Sequence, residues 1–259
     1  MKEFKVSSLS EYVHHIEKIA PFGDYWFRGV AKSSYLPIPK LIWKNAIKTE
    51  GSLEHSFLVS YKPYTENQLL NSWEVFALMQ HHGIPTRLLD WSESALVALY
   101  FALTSEPSST SYRVVWVMNP YSLNEETIGD SAIYCPAVIR DKNIVNGDKE
   151  CNLDSYLPPN LEPDSALVRP SYPIAIHSSR NIRRASSQQG CFTVHGKDLH
   201  AISTYLSKDQ DFHMIKVDAR TKKKRIALLR SLSSLGIDEE FIYQDLDSLS
   251  QKINREHRL

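Results

Sequence analysis

Apolar positions along the chain alternate between helical spacing and short β-like runs. In the N-terminal half, the spacing of Tyr12, Val13, Ile16 and Ile19 predicts a helix that Ser8 or Ser10 can cap. Ser92 or Ser94 can cap a later helix, which is apolar nearly all round and therefore buried. The elements predicted in this half are a helix around 12–19, a strand at 25–30, a helix at 67–80 that ends at Gly83 and Pro85, and a helix at 95–103.

The C-terminal half contains further strand signals and returns to helix. The run Arg113–Met118 predicts a buried strand, and residues 119–170, which are rich in proline, predict a long surface excursion with short helices. Further strands are predicted at 173–177, 190–195 and 212–217, and helices at 226–235 and 246–253. We therefore expect an α+β fold of one domain, residues 1–259, in which helices pack on a small mixed or antiparallel sheet and 119–170 is a less regular insertion.

Charge and cysteine content restrict the cellular setting more than the chemistry. The 30 Lys and Arg residues balance the 30 Asp and Glu residues, so overall charge does not imply a nucleic-acid partner. Three separated cysteines without a CxxC pair favour a reducing compartment, and we expect a cytoplasmic protein. The start lacks the apolar core of a signal peptide. The longest apolar stretch, Ala95–Leu103, is about half the ~20 residues of a membrane helix.

Several common catalytic patterns are absent from the sequence. There is no HExxH motif and no Cys/His ligand spacing, so no metal is expected. There is also no GxSxG elbow, GxGxxG motif or Walker loop. Cys191 lies in an apolar strand, where an inert thiol is expected. Candidate chemistry must therefore come from other polar clusters.

The first such cluster is Phe27-Arg28-Gly29 in an aromatic strand. An arginine there is costly to bury unless its guanidinium meets an anion or hydrogen-bond acceptors. Gly29 permits another backbone or a ligand to approach closely. Arg28 thus contacts either a ligand phosphate or a structural partner.

The second cluster runs from His81 to Ser92, between two apolar helices. Gly83 permits a positive φ, and Pro85 stiffens the turn that follows. Arg87 and Asp90 either pair with each other or form a site in which Asp90 orients Arg87 toward a phosphate. The density of polar side chains favours a site.

Two further segments carry weaker signals. In Ser186–His195, a glutamine side chain can bond a ribose hydroxyl or cap the end of a strand. The basic run Lys222–Arg225 is typical of a solvated helix start, with a local nucleic-acid contact as the alternative.

These motifs together resemble the FRG-domain family, which is named for a Phe-Arg-Gly sequence such as residues 27–29. The run His81–Trp91 is similar to the family's His-x-Gly-x-Pro-Thr-Arg-Leu-Leu-Asp-Trp signature. The helix 95–102, Gln189-Gly190 with Phe192-Thr193, and the closing Leu235-Gly236-Ile237 and Asp245–Asp247 are similar to later parts of the family pattern.

The first strand also resembles the first motif of ADP-ribosyltransferases of the Arg-Ser-Glu type, with Tyr100 and the residues after it as a second counterpart. That resemblance implies a split β-sheet cleft that binds NAD as substrate, without a metal. Arg28 and Gly29 would hold the diphosphate, and His82 or Gln189 would orient the ribose. Thr86, Arg87 and Asp90 would shape the nicotinamide-ribose end.

One departure from that pattern concerns the third motif, where Gln188 and Gln189 stand in place of a catalytic glutamate. The first hypothesis is an NAD-dependent ADP-ribosyltransferase of a bacterial toxin or phage-defence type, with an RNA, DNA or protein acceptor, an antitoxin-like inhibitor as a further partner, and no membrane. The alternatives are a non-catalytic module that binds a nucleotide or nucleic acid, and an interaction domain whose polar motif is a buried structural network.

Overall fold

The computed structural model describes residues 1–65, 70–147, 149–161, 168–179, 186–206 and 208–257. Within these ranges the strands are β1 (Lys2–Val6), β2 (Trp26–Val30), β3 (Leu88–Ser92), β4 (Arg113–Met118), β5 (Asn143–Asn146), β6 (Lys149–Asn152), β7 (Ile174–His177), β8 (Gly190–Val194) and β9 (Phe212–Val217). The helices are α1 (Leu9–Ile19), α2 (Lys40–Trp43), α3 (Glu50–Ser60), α4 (Ser72–His81), α5 (Ala95–Thr104), α6 (Pro120–Ile128), α7 (Lys222–Ser234), α8 (Glu239–Tyr243) and α9 (Leu246–Glu256). The predicted α+β class is confirmed.

The main sheet is mixed and has the strand order β1-β9-β4-β2-β3-β8-β7. β1 and β9 are parallel, and the other neighbours are antiparallel. β2 pairs with β4 along its whole length, whereas β2 and β3 pair only at Phe27↔Ser92. The sheet therefore consists of two halves joined at one residue pair, with a notch where β2 and β3 separate.

Helix α5 packs directly on β2 because Gly29 has no side chain. A Cβ built on Gly29 would lie 1.8 Å from the carbonyl oxygen of Ala98 and 2.6 Å from the nitrogen of Ala102. The close backbone approach that Gly29 permits is therefore that of α5. Phe27 and the buried face of α5 share one hydrophobic core with β4 and α7.

Side-chain caps begin several helices where the sequence suggests. Ser8 caps α1 and Ser94 caps α5 by accepting bonds from backbone N–H groups. Asn71 and Glu74 form a capping box at the start of α4. Glu74 thus has a structural role outside the cleft described below.

The run His81–Ser92 is not a simple connection between two helices. Gly83 follows α4 with a φ of +80°, and Leu88–Ser92 then forms the central strand β3. Only Asp90 of this strand is exposed. The strand is hidden in the sequence because it is short, contains polar residues, and lies next to the stronger pattern of α5.

The stretch 119–170 also differs from a surface excursion. It contains α6, which Asn119 caps and Gly129 ends, and the β5–β6 hairpin. Leu153 and Tyr156 are fully buried in a core cluster that includes Phe76 of α4. Much of this segment therefore contributes to the core. The strand β1 and the helices α2, α3 and α8 were not predicted.

Candidate binding cleft beside Arg28

A cleft of about 430 Å³ opens at the notch between β2 and β3. Residues from both strands line it, together with the end of α4 and one face of α5. Gln188 before β8 and Tyr243 at the end of α8 complete the wall. The cleft thus lies where the two halves of the sheet part.

The guanidinium of Arg28 lies in this notch. Its Nη1 donates to the main-chain oxygen of Asp90 at 2.7 Å and is 3.8 Å from the Oδ2 atom of the same residue. Burial lowers the pKa of Arg28, whereas the charge of Asp90 opposes this effect, and an arginine remains protonated. Among the described residues no other group accepts a hydrogen bond from Arg28, so most of its N–H donors remain available to a ligand.

A chain of hydrogen bonds holds the Asp90 carboxylate. The backbone N–H of Leu88 donates to Thr86 Oγ1, which donates to Gln80 Oε1 at 2.6 Å. Gln80 Nε2 in turn donates to Asp90 Oδ2 at 2.7 Å. Thr86 is buried, so it does not contact a ligand directly but orients Gln80, which holds the Asp90 carboxylate. The sequence offered no signal for Gln80, because its partners follow it in the turn and in β3.

Ser92 and Gln188 connect the floor of the cleft to β8 and α8. Ser92 Oγ donates to the main-chain oxygen of Gln188 at 2.7 Å and accepts from the N–H of Ser94. Gln188 Nε2 donates to the carbonyl of Ile242 at 3.1 Å. Ser92, the last residue of the polar cluster His81–Ser92 and a candidate helix cap, thus lies in the cleft beside Arg28.

The elements that build this cleft coincide with a known family pattern. Residues 23–111 match the family model of the FRG domain. The chain contains an FRG domain. Searches of curated proteins and of solved structures gave no match. The matched region of the FRG domain includes β2, α4, β3 and α5, whereas Gln188 and Tyr243 come from the chain that follows it.

Arg87 of the FRG domain lies in a buried ion pair. Its Nε donates to Glu50 Oε1 at 2.8 Å, and its Nη1 donates to the carbonyl of Gly196 at 2.6 Å. Arg169 also binds Glu50, at 3.1 Å. Of the two alternatives for Arg87, the pairing with Asp90 is not found, because the Arg87 guanidinium is bound to Glu50 and to the carbonyl of Gly196. Nor does Arg87 line the cleft.

The other predicted site residues divide between the cleft and its surroundings. His82 is exposed beyond α4, and its neighbour His81 lines the cleft instead. Gln189 is exposed with a φ of +47°, and its carbonyl accepts from the N–H of Glu93, so Gln188 faces the cleft in its place. Tyr100 is buried and does not line the cleft.

The pKa of Tyr100 is raised, first by burial and then by the nearby Tyr243 and by Glu239 and Asp238 at the start of α8. The next residue, Phe101, lines the cleft.

In the basic run at the start of α7, Lys224 pairs with Asp218 at 2.6 Å, and Arg225 donates to the carbonyl of Pro107. Two residues of this run therefore make local structural contacts, whereas Lys222 and Lys223 are exposed.

The described part of the chain contains no cluster of three or more His, Cys, Asp or Glu side chains arranged to bind a metal. Among the same residues, no helix has the length and apolar character that crossing a membrane requires.

Proposed function

We propose that the cleft of the FRG domain binds NAD and that the protein transfers ADP-ribose from it to a macromolecular acceptor. The observation that carries the proposal is the position of Arg28 in the notch, where most of its guanidinium donors face no acceptor among the described residues. A guanidinium with free donors binds phosphate oxygens in a bidentate manner. The diphosphate of NAD presents such oxygens.

The pairing of three strands supports the transferase part of the proposal. Phe27↔Ser92 places Arg28 beside Ser92, and Ser92↔Gly190 places Ser92 beside the residues that precede β8. Arg28, Ser92 and Gln188 all line the cleft. In chain order these three residues are similar to the Arg-Ser-Glu pattern of such transferases, with glutamine in the third place, and this similarity supports the proposal.

The proposed reaction assigns a role to each of these side chains. Arg28 holds the diphosphate, Ser92 fixes the loop before β8, and Gln188 orients a ribose hydroxyl. The bond between ribose C1′ and the nicotinamide nitrogen breaks, nicotinamide leaves, and C1′ bonds to the acceptor, which loses a proton. Positive charge develops on the ribose during this step, and Asp90 is the carboxylate in the cleft that can stabilise it.

A second candidate function is nucleotide binding without transfer. The observation that favours it is the neutral Gln188, because an amide cannot offer a full negative charge to the developing cation. Asp90, in addition, is already bonded to Gln80 and lies 3.8 Å from Arg28. In this case the same residues would bind NAD or another nucleotide without cleaving it.

One experiment distinguishes the two functions. Purified protein is titrated with NAD by calorimetry and then incubated with labelled NAD and separate RNA, DNA and protein fractions of a bacterial lysate. Arg28→Ala should weaken NAD binding about 10-fold to 100-fold, because a hydrogen-bonded ionic contact is lost. Exposed Arg230→Ala on α7 is the matched control and should bind NAD like the wild type.

Label that appears in one fraction and is lost with Arg28→Ala would support the transferase. Binding that depends on Arg28 without label transfer or nicotinamide release would support the binding module. A folded wild-type protein that does not bind NAD would refute the transferase proposal.

A further inference from the structure

A second cavity, of about 370 Å³, adjoins the Arg28 cleft. The two cavities share Arg28, Gln80 and Asp90, so these side chains contact whatever occupies either one. Tyr35 and Trp43 form part of the outer wall of the second cavity. A group bound there would therefore lie next to the proposed NAD site.

Trp43 gives this cavity an exposed aromatic surface. Its exposed fraction is 58%, whereas Trp26, Trp73, Trp91 and Trp116 are each at most 5% exposed. The Tyr35 ring meets Trp43 edge to face at a centroid distance of 5.1 Å, which supports the indole from one side. An exposed indole at the mouth of a cavity is suited to stack on a planar ring such as a nucleobase.

The surrounding segment is basic. Residues 31–49 contain four lysines and no aspartate or glutamate. Lys44 and Lys48 are exposed, Lys40 lines the cavity, and Lys32 lies over the Tyr35 ring at 4.5 Å. These charges form a local patch in a chain whose net charge is zero.

The acids that face the same cavity are already engaged. Glu106 accepts from the Tyr35 hydroxyl and lies 3.5 Å from Lys32. Asp90 is bonded to Gln80. A groove that combines lysines with an exposed aromatic ring matches single-stranded nucleic acid, in which phosphates meet the cations and bases stack on the ring.

We propose that this second cavity binds a base of single-stranded nucleic acid, which stacks on Trp43 while Lys44 and Lys48 contact the neighbouring phosphates. The base then lies beside Arg28 as the acceptor of ADP-ribose, a role that rests on the proposed transferase function. A nitrogen of the base bonds to ribose C1′ as the bond from C1′ to nicotinamide breaks. The base loses one proton to solvent, and neutral nicotinamide leaves.

The test measures fluorescence anisotropy of labelled 12-nucleotide single-stranded RNA and DNA of mixed sequence with the full chain. Trp43→Ala should weaken binding about fivefold or more, since one stacked base is lost, and Trp43→Phe should retain most of it. Affinity falls as salt rises, and Lys44→Ala should make this dependence shallower, reducing the magnitude of the slope of log affinity against log salt concentration by about 0.7. The matched controls are Tyr64→Ala, an aromatic residue that is 86% exposed elsewhere, and Lys223→Ala on α7.

NAD titrations of the same variants separate this inference from the proposed function. We expect Trp43→Ala to bind NAD like the wild type, and an equal loss of NAD and oligonucleotide binding would overturn the inference, because the cavity would then hold the adenine of NAD. Absence of oligonucleotide binding, or binding that Trp43→Ala leaves unchanged, would also overturn it. Oligonucleotide binding through Trp43 in a protein that does not bind NAD would support the base site and refute the transferase.

Discussion

The two arginines of the FRG motifs should respond to truncation in opposite ways. Arg87 is 7% exposed and Glu50 is 13% exposed, so their ion pair is almost fully removed from water. Arg87→Ala leaves Glu50 with Arg169 alone and leaves the carbonyl of Gly196 without its guanidinium donor. We expect a loss of stability and no direct effect on the cleft.

The size of this loss follows from the geometry of the pair. Breaking a buried ion pair by removing one partner costs about 3–5 kcal/mol, and the remaining Arg169 contact favours the lower end. In a chain of this length, about 1 kcal/mol corresponds to 2–4 °C in Tm. Arg87→Ala should therefore lower Tm by about 6–12 °C.

Arg28→Ala is the matched comparison. The Arg28 side chain is 26% exposed and, within the described residues, donates one hydrogen bond, to the carbonyl of Asp90. Its loss should cost about 1 kcal/mol or less, which is a shift of about 3 °C. Arg28→Ala should nevertheless abolish most NAD binding.

The assay combines thermal melting by circular dichroism with NAD calorimetry at a temperature well below both transitions. Glu50→Gln, which removes the partner charge at nearly constant volume, should destabilise in the same direction as Arg87→Ala. The reasoning would be refuted if Arg87→Ala melted like the wild type and failed to bind NAD, because Arg87 would then act in ligand binding.

Two further predictions concern packing and pH. Gly29→Ala should lower the free energy of unfolding by about 3 kcal/mol or more, because the added Cβ would lie 1.8 Å from the Ala98 carbonyl oxygen. Urea unfolding measures this loss, and a midpoint equal to that of the wild type would show that α5 can move. Burial lowers the pKa of His195, whose Nε2 bonds the carbonyl of His200, to about 4, so the neutral ring is favoured in the folded state. The free energy of unfolding should therefore be at its full value above the ordinary pKa of 6.5 and should fall as the pH drops toward 4. This decrease should be smaller in His195→Gln. Exposed His14→Gln should retain the wild-type pH dependence, and an equal acid sensitivity of His195→Gln would contradict this assignment.

Elements with one dominant local signal were predictable from sequence. The run Arg113–Met118, which is apolar after its first residue, is the strand β4, with the same bounds. Ser8 and Ser94 cap helices because their hydroxyls accept bonds from free N–H groups at the first turn. In these places, local propensity and burial favour the same conformation.

The candidate site was less predictable because its contacts join distant residues. Arg87 and Arg169 both bind the carboxylate of Glu50, which lies 37 and 119 positions away from them along the chain. Nothing in the turn after α4 indicates that Thr86 reaches Asp90 through Gln80. Polar density in the run His81–Ser92 correctly indicated a special segment, but only tertiary structure separates the side chains that reach the cleft from those that hold the fold.

The Phe27-Arg28-Gly29 sequence combines both roles within one strand. Side chains alternate along β2, so Phe27 and Gly29 face α5, whereas Arg28 enters the notch toward β3. The contact of Gly29 with the Ala98 carbonyl determines how closely α5 lies on β2, and Phe101 of the same helix lines the cleft. The width of the cleft therefore depends on Gly29, which has no side chain to bind a ligand. A packing residue, Gly29, and a binding residue, Arg28, can thus belong to the same short motif.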